Sequence, residues 1–350
     1  MPLAAGPAIE SIESSLDVTY TWAYRDTRQQ LRDLYDKAKV AQWVPEEELD
    51  FSVDVDLDKP MMPEMMHPLF GSEIMARMTD EEKQQLNREM SSWTLSQFLH
   101  CEQGALLAAA QLVTAVPDLD SKLYGATQVV DEARHVDVYN RYLHEKIGFS
   151  YPVNPHLRTL LDLILTDSRW DMKFLGMQIM VEGLALSAFA MIRQNTYEPL
   201  LRELTRYVMG DEARHVAYGV LSLRDYYKDQ PESVVRERED FVYEAAVLMR
   251  DRFLMQEVWI KMGLPFERCI ELAMNNQGQI LFRQLLFAKI VPAIKKIGLL
   301  SPRQRERFQG LGILQYENAE DPIVALERAE AERVAWPPSR RPPPPPLSSW

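Results

Sequence analysis

The pentapeptide Asp-Glu-Ala-Arg-His stands twice in this chain, at Asp131–His135 and at Asp211–His215, and a glutamate, Glu102 or Glu182, precedes the Glu of each copy by 30 residues. Glu102 and Glu182, Glu132 and Glu212, and His135 and His215 are all offset by the same 80 residues. A shared offset of this kind describes one helical hairpin used twice, each copy supplying a Glu and then a Glu-x-x-His. Carboxylate oxygens and imidazole nitrogens are donors that iron and manganese accept. Four carboxylates and two imidazoles brought together across a four-helix bundle are what a pair of such metals needs.

The surroundings of the two upstream glutamates sharpen that reading. Glu102 lies in Gln-Phe-Leu-His-Cys-Glu-Gln-Gly-Ala-Leu-Leu and Glu182 in Met-Gln-Ile-Met-Val-Glu-Gly-Leu-Ala-Leu-Ser-Ala-Phe, so neither has a solvated face. A buried carboxylate must be protonated, ion-paired or bound to a cation, because leaving it bare costs several kcal/mol. Within each Glu-x-x-His, positions i and i+3 project from one side of a helix, toward a common centre. Arg134 and Arg214 then point elsewhere, into outer ion pairs. Asp131 and Asp211 are placed to hold the second ring nitrogen of a histidine on a neighbouring helix. The plain alternative for one Glu-x-x-His is a surface salt-bridge pair. For two copies it is a duplication that kept its carboxylates for core hydrogen bonding. The common offset and the two buried glutamates favour the metal pair.

The elements that must position these groups are helical throughout. Period-3.6 apolar patterning runs through Thr21–Gln42, Asp80–Val116, Ser121–Lys146, Asn154–Asn195, Glu198–Lys228, Ser233–Met262 and Phe266–Ile297, which predicts an all-α protein. Breakers separate them at Pro60–Pro68, Val116-Pro117-Asp118, Gly148–Pro152, Gln230-Pro231, Gly263–Pro265 and Gly298–Pro302. The run Met177–Ile192 falls short of the roughly 20 residues of a membrane span and carries Glu182 near its middle, so it is read as a core helix. We expect an arm over residues 1–20, one domain over 21–314, and a mobile acidic and proline-rich tail over 315–350 ending in the polyproline after Arg341.

With 46% hydrophobic residues, the 350-residue chain has ample material for a core. Its net charge of −13 argues against nucleic acid or an anionic membrane surface as partner. Cys101 and Cys269 are too few for a disulfide framework, and Met1–Asp17 lacks the basic start and apolar run of a signal peptide. A cytoplasmic location is therefore expected.

The repeated Glu and Glu-x-x-His pattern resembles the ferritin-like di-iron carboxylate superfamily, and within it the ribonucleotide-reductase-small-subunit-like branch that also holds acyl-carrier desaturases and bacterial monooxygenases. The resemblance spans roughly 20–300. It implies a ferritin-like four-helix bundle with additional flanking helices, holding two iron ions, or manganese with iron, between Glu102, Glu132, His135, Glu182, Glu212 and His215. Glu132 and Glu212 would bridge, with Glu102 and Glu182 more terminal. By the same resemblance Trp43, within Gln-Trp-Val-Pro-Glu-Glu, forms a hydrogen-bonded path through Asp211 and His135 to one iron. Tyr139, one turn after His135, stands where reductase small subunits keep a radical tyrosine; the alternative is a phenol hydrogen-bonded near the site.

The departures matter as much. There is no Tyr after Tyr316 to dock a reductase large subunit. Di-iron arylamine N-oxygenases carry a further histidine one turn before the last glutamate, where Val208 stands here, and N-oxygenation loses support accordingly. The resemblance thus implies an O2-dependent di-iron monooxygenase acting on a small organic substrate. Its electron donor would be a ferredoxin with its reductase, and homodimers are the expected assembly. Desaturase or oxidase chemistry comes second, a radical subunit or a ferroxidase after it. Phe98, Leu106, Leu186 and Phe189 lie one or two turns from the upstream glutamates and are read as an apolar substrate pocket. Met61, Met62, Met65 and Met66 read as core filler in preference to a passage, and His100 and Cys101 point away from the centre.

Overall fold

The computed structural model describes residues 9–25 and 27–335, and among them there are helices, turns and loops but no strand. Five helices position the site: α1 (Gln29–Val40), α2 (Asp80–Ala115), α3 (Leu119–Tyr142), α4 (Trp170–Asn195) and α5 (Pro199–Leu223). Each of the bundle helices α2, α3 and α5 starts on a side chain that accepts from the free N–H groups of its first turn. Thr79 and Glu82 form a reciprocal capping box at α2, Asp118 caps α3, and Glu198 caps α5 ahead of Pro199. The short links between α2 and α3 and between α4 and α5 make each pair an antiparallel hairpin.

The hairpins pack α3 on α5 and α2 on α4, closing a four-helix bundle. The two helices that carry Glu-x-x-His therefore lie side by side, and the two that carry the single glutamates form the opposite side. α1 crosses α3 and α5, so the residues that follow it, Gln42 and Trp43, land over the histidine-bearing pair. Helix Pro155–Thr166 covers α2 and α4 at close range through glycines. A Cβ at Gly104 would stand 2.5 Å from Leu161, and one at Gly176 would stand 2.5 Å from Ile164.

α4 is long and apolar enough to cross a membrane, yet 89% of its most apolar window is buried inside the molecule. It is the core helix that Glu182 requires. Its Leu175–Val181 stretch is wound as a π-helix immediately before Glu182, a distortion that recurs at functional sites.

Several predicted helices are shorter than the periodicity suggests. Asn154–Asn195 breaks after Thr166, where the Asp167 carboxylate accepts from the Arg169 N–H in a tight turn. Ser233–Met262 breaks at Met255, whose φ of 51° is left-handed. Phe266–Ile297 is three helices, the second begun by the Asn276 cap. The stretch expected as a tail from 315 includes a further helix. Helix Pro322–Ala335 packs on α5 with Ala325 and Leu326 buried, and Lys37 pairs with Glu330 at 2.7 Å. Its alternating charges disguise a short apolar stripe. The polyproline run lies outside the described residues.

Candidate metal centre

The six residues singled out by the repeat are all buried and converge in the bundle middle. Donor atoms of Glu102, Glu132, His135 and Glu212 lie within 4.8 Å of one another, and those of Glu132, Glu182 and His215 form a second such group. His135 Nδ1 is 3.3 Å from Glu102 and Glu132 and 3.4 Å from Glu212. His215 Nδ1 is 3.1 Å from Glu132 and 3.6 Å from Glu212. Glu132 and Glu212 thus reach both imidazoles, while Glu102 and Glu182 each belong to one group.

Four of these atoms, Oε2 of Glu132, Glu182 and Glu212 and Nδ1 of His215, are buried with no hydrogen-bond partner. An unsatisfied buried polar group costs about 1–3 kcal/mol, more if charged. Four of them aimed at one place fit a pair of divalent metals, and the carboxylate-plus-imidazole donor set suits iron or manganese. The protonation preferences of the bare cluster tell the same story. Burial and the charge of Glu212 push Glu102 up to about 8, and burial raises Glu182 well above the carboxylate range. Burial opposes charge on Glu132 as well, but the charge of His215 and the closeness of both imidazoles outweigh it and hold its pKa low. Both histidines are raised, burial being overcome by their carboxylate neighbours. The cluster calls for positive charge at its centre.

What aims the imidazoles is a crosswise exchange between the two pentapeptides. His135 Nε2 lies 3.1 Å from Asp211, and His215 Nε2 lies 3.3 Å from Asp131. Each aspartate thereby turns the Nδ1 of the other copy's histidine toward the centre. Asp211 also accepts from Trp43 Nε1 at 2.7 Å, from Arg134 at 3.0 Å and from Arg214, and Asp131 accepts from Gln42 at 2.9 Å. Burial disfavours a charged Asp211, but the Arg214 guanidinium and the His135 hydrogen bond hold its carboxyl well below the usual range. Trp43, Asp211 and His135 form one continuous hydrogen-bonded chain. Arg134 closes the layer, its guanidinium 4.8 Å from the Trp43 ring.

The opposite side is different in kind. Tyr139 is fully buried, its ring 6.0 Å from both Phe98 and Phe189, and its hydroxyl has no partner. Among the described residues no protein group hydrogen-bonds this phenol. Beyond Phe98 opens a narrow cleft walled by Phe98, Ile192, Phe253 and Phe282 with Met61, Met62 and Met66. Of the four residues read as a pocket, Phe98 alone lines it. Phe189 backs Phe98 at 4.8 Å, whereas Leu186 packs in the core and Leu106 is half-buried elsewhere on α2. The methionines are the reverse case, since three of the four line the cleft while Met65 is exposed. His100 points to the Tyr151 carbonyl at 2.8 Å, away from the centre.

The repeat search passed over Gln128. Its amide donates to Glu132 at 3.0 Å and to Glu182 at 2.7 Å, steadying one carboxylate of each hairpin. The signal was present, for a residue four before Glu132 shares its helix face. The 80-residue offset places Val208 at the matching position in the second copy.

A four-helix bundle presenting two Glu and Glu-x-x-His units to one buried centre defines a ferritin-like di-iron carboxylate protein. Residues 24–298 match the AurF family, described as P-aminobenzoate N-oxygenase AurF, and the chain belongs to that family. It is an O2-dependent di-iron oxidoreductase. Among solved structures, an R2-like ligand-binding oxidase with aerobically reconstituted metal cofactor after photoconversion is 20% identical, with 79% of this chain and 95% of that chain covered and a TM-score of 0.49. The same kind of oxidase with aerobically reconstituted Mn/Fe cofactor after a long soak is 20% identical over the same shares, with a TM-score of 0.45. No curated protein matches the chain.

Proposed function

We propose that the protein is a monooxygenase that transfers one oxygen atom of O2 to a small organic substrate lodged in the cleft beside α2 and α4, the family's name favouring an aromatic amine. The observation that carries this reading is the convergence of four unpartnered, buried donor atoms next to an apolar cleft. Glu102, Glu132, His135, Glu182, Glu212 and His215 would hold the two metals. The reduced metal pair, iron with iron or manganese with iron, supplies O2 activation. Asp131 and Asp211 keep both imidazoles aimed, Trp43 and Asp211 conduct electrons to His135, and Phe98 and Phe189 shield the centre from water. Burial holds the Tyr139 phenol protonated, so it serves as a hydrogen source beside the centre. Monooxygenation consumes two external electrons, which a ferredoxin and its reductase provide. A cytoplasmic homodimer completes the proposal.

Carbon hydroxylation is the second reading, favoured by the buried Val208, which stands where the arylamine N-oxygenases carry their additional histidine. The test begins with elemental analysis after anaerobic Fe(II) loading, followed by 18O2, reductant and an aniline panel, with product mass spectra. Two irons per chain and one labelled oxygen per product are expected, on nitrogen or on carbon. Two irons with only unlabelled, dehydrogenated product would replace the monooxygenase by an oxidase or desaturase.

A further inference from the structure

The cleft's chemistry differs from what an aromatic carboxylic acid needs. We propose that the substrate is an uncharged, largely apolar molecule with one hydrogen-bond acceptor, and that the Nε2–H of His67 binds that acceptor. This rests on the oxygenase reading above and narrows its substrate class.

No Lys or Arg lines the cleft; its polar groups are neutral side chains such as Thr94 and Gln279, with His67. Arg252, just before Phe253, is buried beside Cys101 with its Nη1 unpartnered, but it is not part of the lining. A carboxylate moved from water into such a place would lose its solvation with no cation in the lining to replace it. The approach disfavours anions as well. An outer groove shares Pro60, Met61 and Ser91 with the cleft and is lined by Asp54, Asp56 and Glu198. Its one cation, Lys59, is taken up by Asp56 at 2.9 Å. An acidic mouth repels anions and admits neutral or basic molecules.

Among the residues that line the cleft, His67 carries the buried polar atom that lacks a partner. The Leu69 N–H donates to its Nδ1 at 3.0 Å, so Nδ1 carries the lone pair and the proton sits on Nε2. The residue is 5% exposed, and Nε2 has no hydrogen-bond partner. Burial holds the imidazole down to about 4, which leaves it neutral at pH 7. A neutral N–H offers direction without charge, and a ligand acceptor relieves the cost of leaving it unpaired. From there Thr94 and Phe98 lead along α2 to Glu102, and Ile192 and Ala188 lead along α4 to Glu182.

The test is equilibrium dialysis of three probes, 4-aminobenzamide, 4-aminobenzoate and 4-methylaniline, against metal-free and anaerobically iron-loaded protein. The amide should bind at least about tenfold tighter than the benzoate. His67→Phe should weaken the amide about tenfold, one hydrogen bond's worth, and leave 4-methylaniline unchanged. His67→Gln, which keeps a donor, should recover part of the loss. Because His67→Phe also removes the acceptor for Leu69, Met62→Lys supplies an independent reading, and this added cation should move preference toward the benzoate. Wild-type protein that holds benzoate as well as amide, a His67→Phe loss equal across all three probes, or binding of none of them would overturn the proposal. Absence of iron after loading would instead overturn the oxygenase reading, and dialysis against the metal-free protein separates the two failures.

Discussion

The two sides of the bundle are built on opposite principles. Where α3 and α5 meet, every histidine, aspartate and arginine of the two pentapeptides is tied to another, and Gln42 and Trp43 are drawn into the same network. Toward the cleft beside α2 and α4, the Tyr139 hydroxyl and His67 Nε2 have no partner and lie among aromatic rings and methionines. The first side fixes positions, since a satisfied polar network is stiff and specifies one arrangement. The second leaves a space whose contents the protein does not itself complete. The network that aims the imidazoles and the space that receives the substrate thus lie on different sides of the bundle.

The residue common to both sides should give the largest effect. Glu132 belongs to both donor groups, whereas Glu102 and Glu182 each belong to one. Glu132→Ala should abolish binding of both metals, and Glu102→Ala or Glu182→Ala should each leave about one, as read by elemental analysis of desalted, iron-loaded protein. Equal metal loss in all three would erase the distinction between shared and single carboxylates.

On the tied side, Asp211→Asn should be the most damaging change that touches no metal donor. It unbalances buried Arg214 and loosens His135 and Trp43, with a cost of about 3–5 kcal/mol in urea unfolding and about 10–100-fold in metal affinity by chelator competition. If the loss proved no larger than that of an exposed ion pair such as Lys59–Asp56, the network would be ornament and the contrast would fall.

The open side has its own pH signature. His67 is held at about 4 against an ordinary 6.5. Between those values the unfolded chain binds more protons than the folded one, so stability falls as pH falls through that window. At most about 3 kcal/mol is at stake. Urea midpoints of wild type and His67→Phe compared at pH 7.5 and pH 4.5 should show a smaller acid loss in the variant. Parallel losses would mean that His67 is not the buried neutral base described.

How much of this contrast was legible follows from periodicity. The tied side announces itself because its groups recur at one fixed offset, and Asp131, Asp211 and Trp43 followed from the spacing and from the resemblance it supports. The open side draws on segments with no such rhythm. Met61, Met62, Met66 and His67 come from a proline-rich loop, and Phe253 and Met255 come from a helix break that apolar patterning runs straight through. Helical phase placed Leu106 and Leu186 at the pocket because it reports only which face of a helix is apolar. It is silent on which part of that face a distant loop leaves uncovered.

Tyr139→Phe should have the smallest effect on stability and draws the sharpest line between the two sides. On the tied side, removal of the Asp131, Asp211 or Trp43 polar atoms strands their partners. The Tyr139 hydroxyl has none to strand, so its deletion lifts a desolvation cost, and the variant should unfold at equal or higher urea, by up to about 1 kcal/mol. What gives this hydroxyl a use is its place beside Glu102 and His135. The same variant should therefore lose turnover or a tyrosyl signal after O2 exposure while binding two irons as before. A variant that is both less stable and fully active would show instead that the hydroxyl is a structural contact, and the open side would be chemically bare apart from His67.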